Sequence, residues 1–348
     1  MLAAAIFVHA DDGTNSSKWS VQKTGGKANL RGVSIGLFAD SSRIAKPVVW
    51  ASGSNGVILR SKDAGTTWQR RRVQGGEALD FRSIQAFDAR TAYVMSSGDG
   101  GNSRIYKTTN GGANWKLQYA DKRKELFLDA LVCSSRIECF AVGDPIDGKF
   151  VILQTGDGEN WKQLPTDQMP AALPDEGAFA ASGTCLAVYK HQDIYFVTGG
   201  PAARLFHSSD AGNSWEVNST PIVSGDASSG IFSIAIQDKA LVVVGGDYKD
   251  PNNSNRVAAY SADQGKTWKL AEQQPGGYRS AVAYIDEKSF IAVGPNGEDV
   301  SDDGGAHWRH TDSRNLNALA VFRYGHAWAV GPHGTIARSS PPFRYTLR

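Results

Sequence analysis

Ser61-Lys62-Asp63-Ala64-Gly65-Thr66-Thr67-Trp68 is the clearest copy of a phrase that the chain uses six times. Ser208 to Trp215, Ser261 to Trp268 and Ser301 to Trp308 keep its length; Thr108 to Trp115 puts Asn110 in the Asp position, and Thr155 to Trp161 is one residue shorter. The tryptophans stand at 68, 115, 161, 215, 268 and 308, so the intervals are 47, 46, 54, 53 and 40 residues. A repeat of that period is the signature of a propeller or solenoid. Runs such as Val57-Ile58-Leu59-Arg60 and Val151-Ile152-Leu153-Gln154 lead into the phrases, and apolar runs ending near a glycine, such as Phe290 to Gly294, lie farther upstream. Short β-rich runs broken by Gly, Asp and Asn predict antiparallel strands joined by tight turns.

The phrase itself reads as the turn between the last two strands of a unit. Asp accepts from backbone N–H groups two residues on, the hydroxyl residue bonds locally, and Gly supplies a positive φ. The Trp ring is expected to be buried between neighbouring sheets. Its area at about 25 cal/mol per Å² gives roughly 4–6 kcal/mol as an upper bound.

The segment from Trp328 to Ser340 follows the same pattern up to the start of a phrase, where Pro341-Pro342 replaces the turn. The missing last strand appears at the other end, in Ser17-Lys18-Trp19-Ser20-Val21-Gln22. The expectation is an all-β fold: a single seven-bladed β-propeller of four-stranded antiparallel blades, closed by the N-terminal strand joining the C-terminal blade. The propeller is expected over residues 15–348. Residues 1–14, opening Met1-Leu2-Ala3-Ala4-Ala5-Ile6-Phe7-Val8-His9-Ala10, read as a signal-peptide remnant or a disordered N-terminus. A hydrophobic share of 41% is ample for one core, and the continuous repeat overrides the two-domain prior set by length.

A net charge of +2 gives no global pull toward nucleic acid or an anionic membrane, although Arg70-Arg71-Arg72 and Lys122-Arg123-Lys124 are local basic clusters. No stretch is apolar enough to span a bilayer. Three cysteines do not make a disulfide framework. Cys133 and Cys139 flank a turn and suit a hairpin disulfide in an exported protein, leaving Cys185 a buried thiol. The expected location is therefore periplasmic or extracellular, with the protein a monomer.

The Ser-x-Asp-x-Gly-x-Thr-Trp phrase resembles the Asp-box, or BNR repeat. Combined with the Trp328 to Ser339 pattern, it resembles the photosystem II stability/assembly factor family and its relatives in non-photosynthetic bacteria. That resemblance covers nearly the whole chain and implies a non-enzymatic binding or assembly-factor role. Asp-boxes also occur in sialidases, which resemblance would require three arginines, a Tyr–Glu pair, an acid Asp and a Phe-Arg-Ile-Pro-like motif before the first box. Here Phe81-Arg82-Ser83-Ile84 follows the first phrase and has no Pro, which counts against that enzyme.

In a propeller, ligand residues are expected from the segments leading into each innermost strand and from the loops between second and third strands. Those segments supply Arg82, Asp129, Glu176, Tyr278, Arg279 and Asn317. Converging at one mouth, they would bind a protein partner or a polar small molecule or glycan; equally, they would serve as salt bridges between blades. Asp129 and Glu176 are the carboxylates a glycan-active hydrolase or lyase would use as an acid–base pair. No Gly-rich dinucleotide fingerprint and no Gly-x-Ser-x-Gly elbow is present, so no cofactor is expected. His307 and His310 are three apart, but His307 stands in for the Thr of a phrase, so no metal is expected either.

Overall fold

In the computed structural model the described residues are 19–22, 24–38, 46–286, 288–322 and 326–339. They form seven four-stranded antiparallel sheets. The innermost strands run Leu30–Phe38, Phe81–Ala86, Leu128–Cys133, Leu186–Tyr189, Ser229–Gln237, Ala281–Asp286 and Ala318–Phe322 for blades 1 to 7. Six blades are continuous in the chain, each running outward from inner to fourth strand. Blade 7 takes its fourth strand from Trp19–Gln22, which pairs with Ile336–Ser339 in the register Trp19↔Ser339 to Gln22↔Ile336. The expected seven-bladed propeller and its closure are thus both present. Among the described residues the only helical piece is a short 3₁₀ turn at Gly100–Asn102, and no helix is long and apolar enough to cross a membrane. The expected leader at residues 1–14 and Pro341-Pro342 lie outside the described residues.

The repeated phrase closes the turn between third and fourth strands by a fixed set of bonds. In the first copy Ser61 Oγ donates to Asp63 Oδ1 (2.7 Å) and accepts from the Gly65 N–H (2.8 Å). Asp63 accepts from the N–H of Thr67 (2.8 Å), four residues on rather than two as the sequence suggested. Trp68 Nε1 donates back to the Gly65 carbonyl (3.0 Å). The copies at Ser208, Ser261 and Ser301 repeat the hydroxyl-to-Gly and Asp-to-fourth-residue bonds. Gly212 shows why the glycine is needed: its φ is +92°, and a Cβ there would stand 2.6 Å from Leu164 Cδ1.

The tryptophans are less uniform than their repetition suggests. Trp215 and Trp308 are buried, whereas Trp68, Trp115, Trp161 and Trp268 are half-buried. Much of the sealing between blades comes instead from large side chains on second strands. Trp50 is fully buried and donates from Nε1 to the Asp88 carbonyl of blade 2 (3.0 Å). Tyr93 is fully buried and donates to the Arg136 and Gly158 carbonyls of blade 3. Arg60 reaches the carbonyls of Ala89 and Gly111 in the next blade (2.7 and 2.9 Å). Blades 1 and 2 thus each satisfy carbonyls of the blade that follows, and a buried unpaired carbonyl would cost free energy comparable to a lost hydrogen bond.

Cys133 and Cys139 face each other directly across the first two strands of blade 3 and are joined by a disulfide. Cys185 is a buried free thiol.

Candidate functional site

The innermost strands of all seven blades begin at one end of the axis, and the residues there enclose a cavity of about 500 Å³. Every blade contributes to it: Arg31, Arg82, Asp129 and Asp144, Phe179, Phe232 and Tyr248, Tyr278, and Asn317, in chain order from blade 1 to blade 7. Most of these residues lead into or begin an innermost strand. Asp144 lies near the end of the second strand of blade 3, Cys139–Ile146, and Tyr248 directly follows the second strand of blade 5, Ala240–Asp247. None of the aspartates of the repeated turns lines the cavity.

The segment from Ala180 to Thr184 lies across the axis. Arg82 of blade 2 donates to the Ala180 carbonyl (3.2 Å), and Ser182 Oγ donates to the Ser280 carbonyl of blade 6 (2.7 Å). Thr184 and Ser233 of blade 5 share a hydroxyl hydrogen bond (2.7 Å). Contacts from one short segment to three other blades place it at the centre, where it forms one wall of the cavity through Ala180 and Ala181.

The lining divides by chemistry. One side is aromatic. Phe179 and Phe232 stack with centroids 3.9 Å apart at 7°, and Tyr278 meets Phe232 edge-on at 4.7 Å. Tyr248 adds an exposed ring, 49% accessible, at the rim. A second side is cationic. Arg82 Nε pairs with Asp80 (2.8 Å), and Arg31 lies 3.9 Å from the same carboxylate. Burial, then the Arg82 charge, holds the Arg31 guanidinium below its usual range. A third side is acidic. Asp129 is 1% exposed, and neither of its carboxylate oxygens has a hydrogen-bond partner. Asp144 Oδ1 accepts from the Ala178 N–H (3.0 Å). Burial raises the Asp129 carboxyl well above the usual range, and the Asp144 charge adds to it. Burial pushes Asp144 up to about 6.

The structure brings four of the six residues singled out from sequence to this cavity: Arg82, Asp129, Tyr278 and Asn317. Asn317 is also tied down, donating to Asn29 Oδ1 and the Leu30 carbonyl across the seam between blades 7 and 1. Glu176 and Arg279 are placed elsewhere. Glu176 is buried, accepting from Arg204 Nε (2.8 Å), Thr198 Oγ1 (2.6 Å) and the Leu173 N–H (2.8 Å). It borders a separate surface depression with Pro145 and Pro174. Asp129 and Glu176 therefore do not share the cavity, and the acidic neighbour that Asp129 has there is Asp144. Arg279 is fully buried in an ion pair with Asp299 and donates to the Tyr278 carbonyl (2.9 Å). Sequence reading passed over Arg31 and Asp144. Arg31 was detectable in principle, as the residue after Leu30 in the one innermost strand that no repeated phrase precedes. Among the described residues no three His, Cys, Asp or Glu side chains are grouped as a metal site.

Residues 46–291 match the DUF6242 beta propeller domain. The chain belongs to that family. It is also 24% identical over 324 residues to the photosystem II stability/assembly factor HCF136, chloroplastic, of Cyanidioschyzon merolae, covering 84% of this chain and 69% of that protein. The DUF6242 propeller superposes on YCF48 from Cyanidioschyzon merolae with a TM-score of 0.67 at 16% identity, covering 93% of this chain and 99% of that one. A structure of YCF48 bound to D1 peptide gives 0.65 at 16% identity, covering 92% and 96%. The resemblance read from the repeats is therefore met across nearly the full chain. At these structural identities the likeness carries the fold and leaves the site to be argued from its own residues.

Proposed function

We propose that this DUF6242 propeller is a non-enzymatic docking protein whose axial cavity takes an extended segment of a protein partner. The observation that carries this reading is the cavity lining: an aromatic wall, two arginines and two carboxyls drawn from seven blades around about 500 Å³. Aromatic faces with a few fixed polar groups suit a peptide's alternating backbone and side chains. The similar YCF48 fold, solved with a D1 peptide, supports a peptide as the occupant. In this reading Arg82, Asp129, Tyr278 and Asn317 contact the partner together with Arg31, Phe179 and Tyr248. Glu176 and Arg279 hold the frame that positions them.

The protein works outside the cytoplasm in this reading, because the Cys133–Cys139 disulfide is a bond that persists in oxidising compartments. It acts as a monomer in this reading, since the seam closes the ring and the outer edge strands are only two to five residues long.

Selection from a displayed peptide library tests the reading. Wild-type protein enriches a peptide class, and Tyr248→Ala and Arg82→Ala each weaken the enriched peptides at least tenfold. Enrichment unaffected by both variants places docking elsewhere. Turnover of chromogenic glycosides that Asp129→Asn abolishes would overturn the non-enzymatic reading in favour of a glycan hydrolase.

A further inference from the structure

The acidic wall of the cavity has no counterpart among the buried ion pairs. Glu176 and Arg279 are each met by a partner of opposite charge within their own blade. Asp129 is as buried as they are, yet both its oxygens lack a hydrogen-bond partner. A carboxylate left so is costly unless something pairs with it. The basic side chain whose charge acts on it is committed elsewhere: Arg82 Nε is bonded to Asp80, and a terminal nitrogen to the Ala180 carbonyl. Asp129 sits at a register shift of its strand, between Leu128 and Ala130, so the local bulge sets it apart from the regular ladder. Bulges of this kind re-aim a side chain. Here that side chain borders the cavity together with Asp144, and Phe127 and Phe179 stand in the same lining.

We propose that Asp129 and Asp144 form a receptor for one organic cation, the ammonium or guanidinium of a lysine or arginine side chain, inserted past Phe127 and Phe179. The inference rests on the docking reading only for the protein that carries the side chain; the cation itself is readable without it. Two carboxyls supply acceptors for two or three N–H donors, and aromatic faces favour a cation over a neutral group. Two carboxyls without a third such ligand are a poor cage for a metal ion.

The pair is also built to exchange a proton for that cation. Asp129 is faced by Asp144 from the adjacent strand, by Arg82 from blade 2 and by Cys185 from blade 4. Of these only Arg82 is a permanent cation, and the two carboxyls oppose each other's ionisation. A cation entering the pair competes with its protons. Binding therefore weakens as pH falls through about 6, where Asp144 takes up its own proton.

The probes are N-acetyl-lysine methylamide, N-acetyl-arginine methylamide, spermidine and the neutral N-acetyl-norleucine methylamide, titrated calorimetrically into the whole protein. The lysine or arginine amide is expected to bind at least tenfold more tightly than the norleucine amide at pH 7.5. Asp129→Asn and Asp144→Asn, which remove repulsion and keep shape, should each abolish that preference without lowering the melting temperature. A preference for spermidine over both amides would overturn the side-chain source and leave a polyamine as ligand. Equal binding of lysine and norleucine amides, or a preference that survives Asp129→Asn, would overturn the receptor. Loss of all library peptides with the cation preference intact would sink the docking reading alone.

Discussion

Arg82 and Arg279 occupy similar places in the chain, each beside the start of an innermost strand, yet their removal should have opposite consequences. Arg279 is fully buried and its guanidinium satisfies Asp299, which is 1% exposed. Arg279→Ala leaves that carboxylate with long contacts from the Gly276 N–H (3.3 Å) and His310 Nδ1 (3.8 Å). Breaking one side of a buried ion pair costs about 3–5 kcal/mol. At about 2.1 cal/mol/K per residue of unfolding entropy, a chain of this size should melt roughly 4–7 °C lower. Arg82 is 27% exposed, and its partner Asp80 26%. A pair that wet contributes about 0–1 kcal/mol, so Arg82→Ala should melt within about 2 °C of wild type. Differential scanning calorimetry on the two variants reads both values, and peptide binding reads the other half of the contrast. Arg82→Ala is expected to lose binding with its fold intact. If Arg279→Ala melts with wild type, or Arg82→Ala falls as far as Arg279→Ala, the division between frame and lining is wrong.

Trp215→Ala should cost about 3–5 kcal/mol, because the ring is 7% exposed and meets Phe196 at 5.3 Å, and the half-buried Trp268 should cost less; equal denaturant midpoints would contradict the burial difference. Reducing the Cys133–Cys139 disulfide, which closes a separation of only six residues, should remove about 2 kcal/mol and leave the far-ultraviolet circular dichroism unchanged, whereas unfolding on reduction would refute a local role. The Asp144 carboxyl is raised from 3.8 to about 6, so the folded state holds the proton more tightly than the unfolded chain; its contribution is full below about 3.8 and disappears as pH rises through 6. Asp144→Asn should consequently gain up to about 3 kcal/mol over wild type at pH 8 and nothing near pH 4, and a gain independent of pH would refute the assignment.

What the sequence revealed and what it hid divide along local and non-local chemistry. The turn is written in eight adjacent residues, with hydroxyl, carboxylate, glycine and tryptophan all bonding to one another. Counting such turns counts blades, and a blade lacking its last strand points to the other chain end. The cavity obeys no such local code. Whether an arginine lines it depends on a partner far off in sequence: Asp299 is 20 residues from Arg279, and Arg204 is 28 residues from Glu176. Arg82 and Arg279 look alike until strand register brings Asp299 beneath only one. Asp144 was hidden for another reason. It lies late in the second strand of blade 3, at a register shift between Gly143 and Pro145 that the repeat does not signal.

The seam between Trp19 and Ser339 sets an order of birth. The paired residues are separated by 339 − 19 = 320 positions. At about 5–20 residues per second, a ribosome needs roughly 15–60 s to make the one after the other. Of the described strands, the first to be synthesised is thus the last to gain its mate, and the sequence of six whole blades has been made before the ring can lock. Throughout that wait a growing chain carries an unzipped hem of backbone donors and acceptors, open to chaperones or to a neighbouring nascent chain.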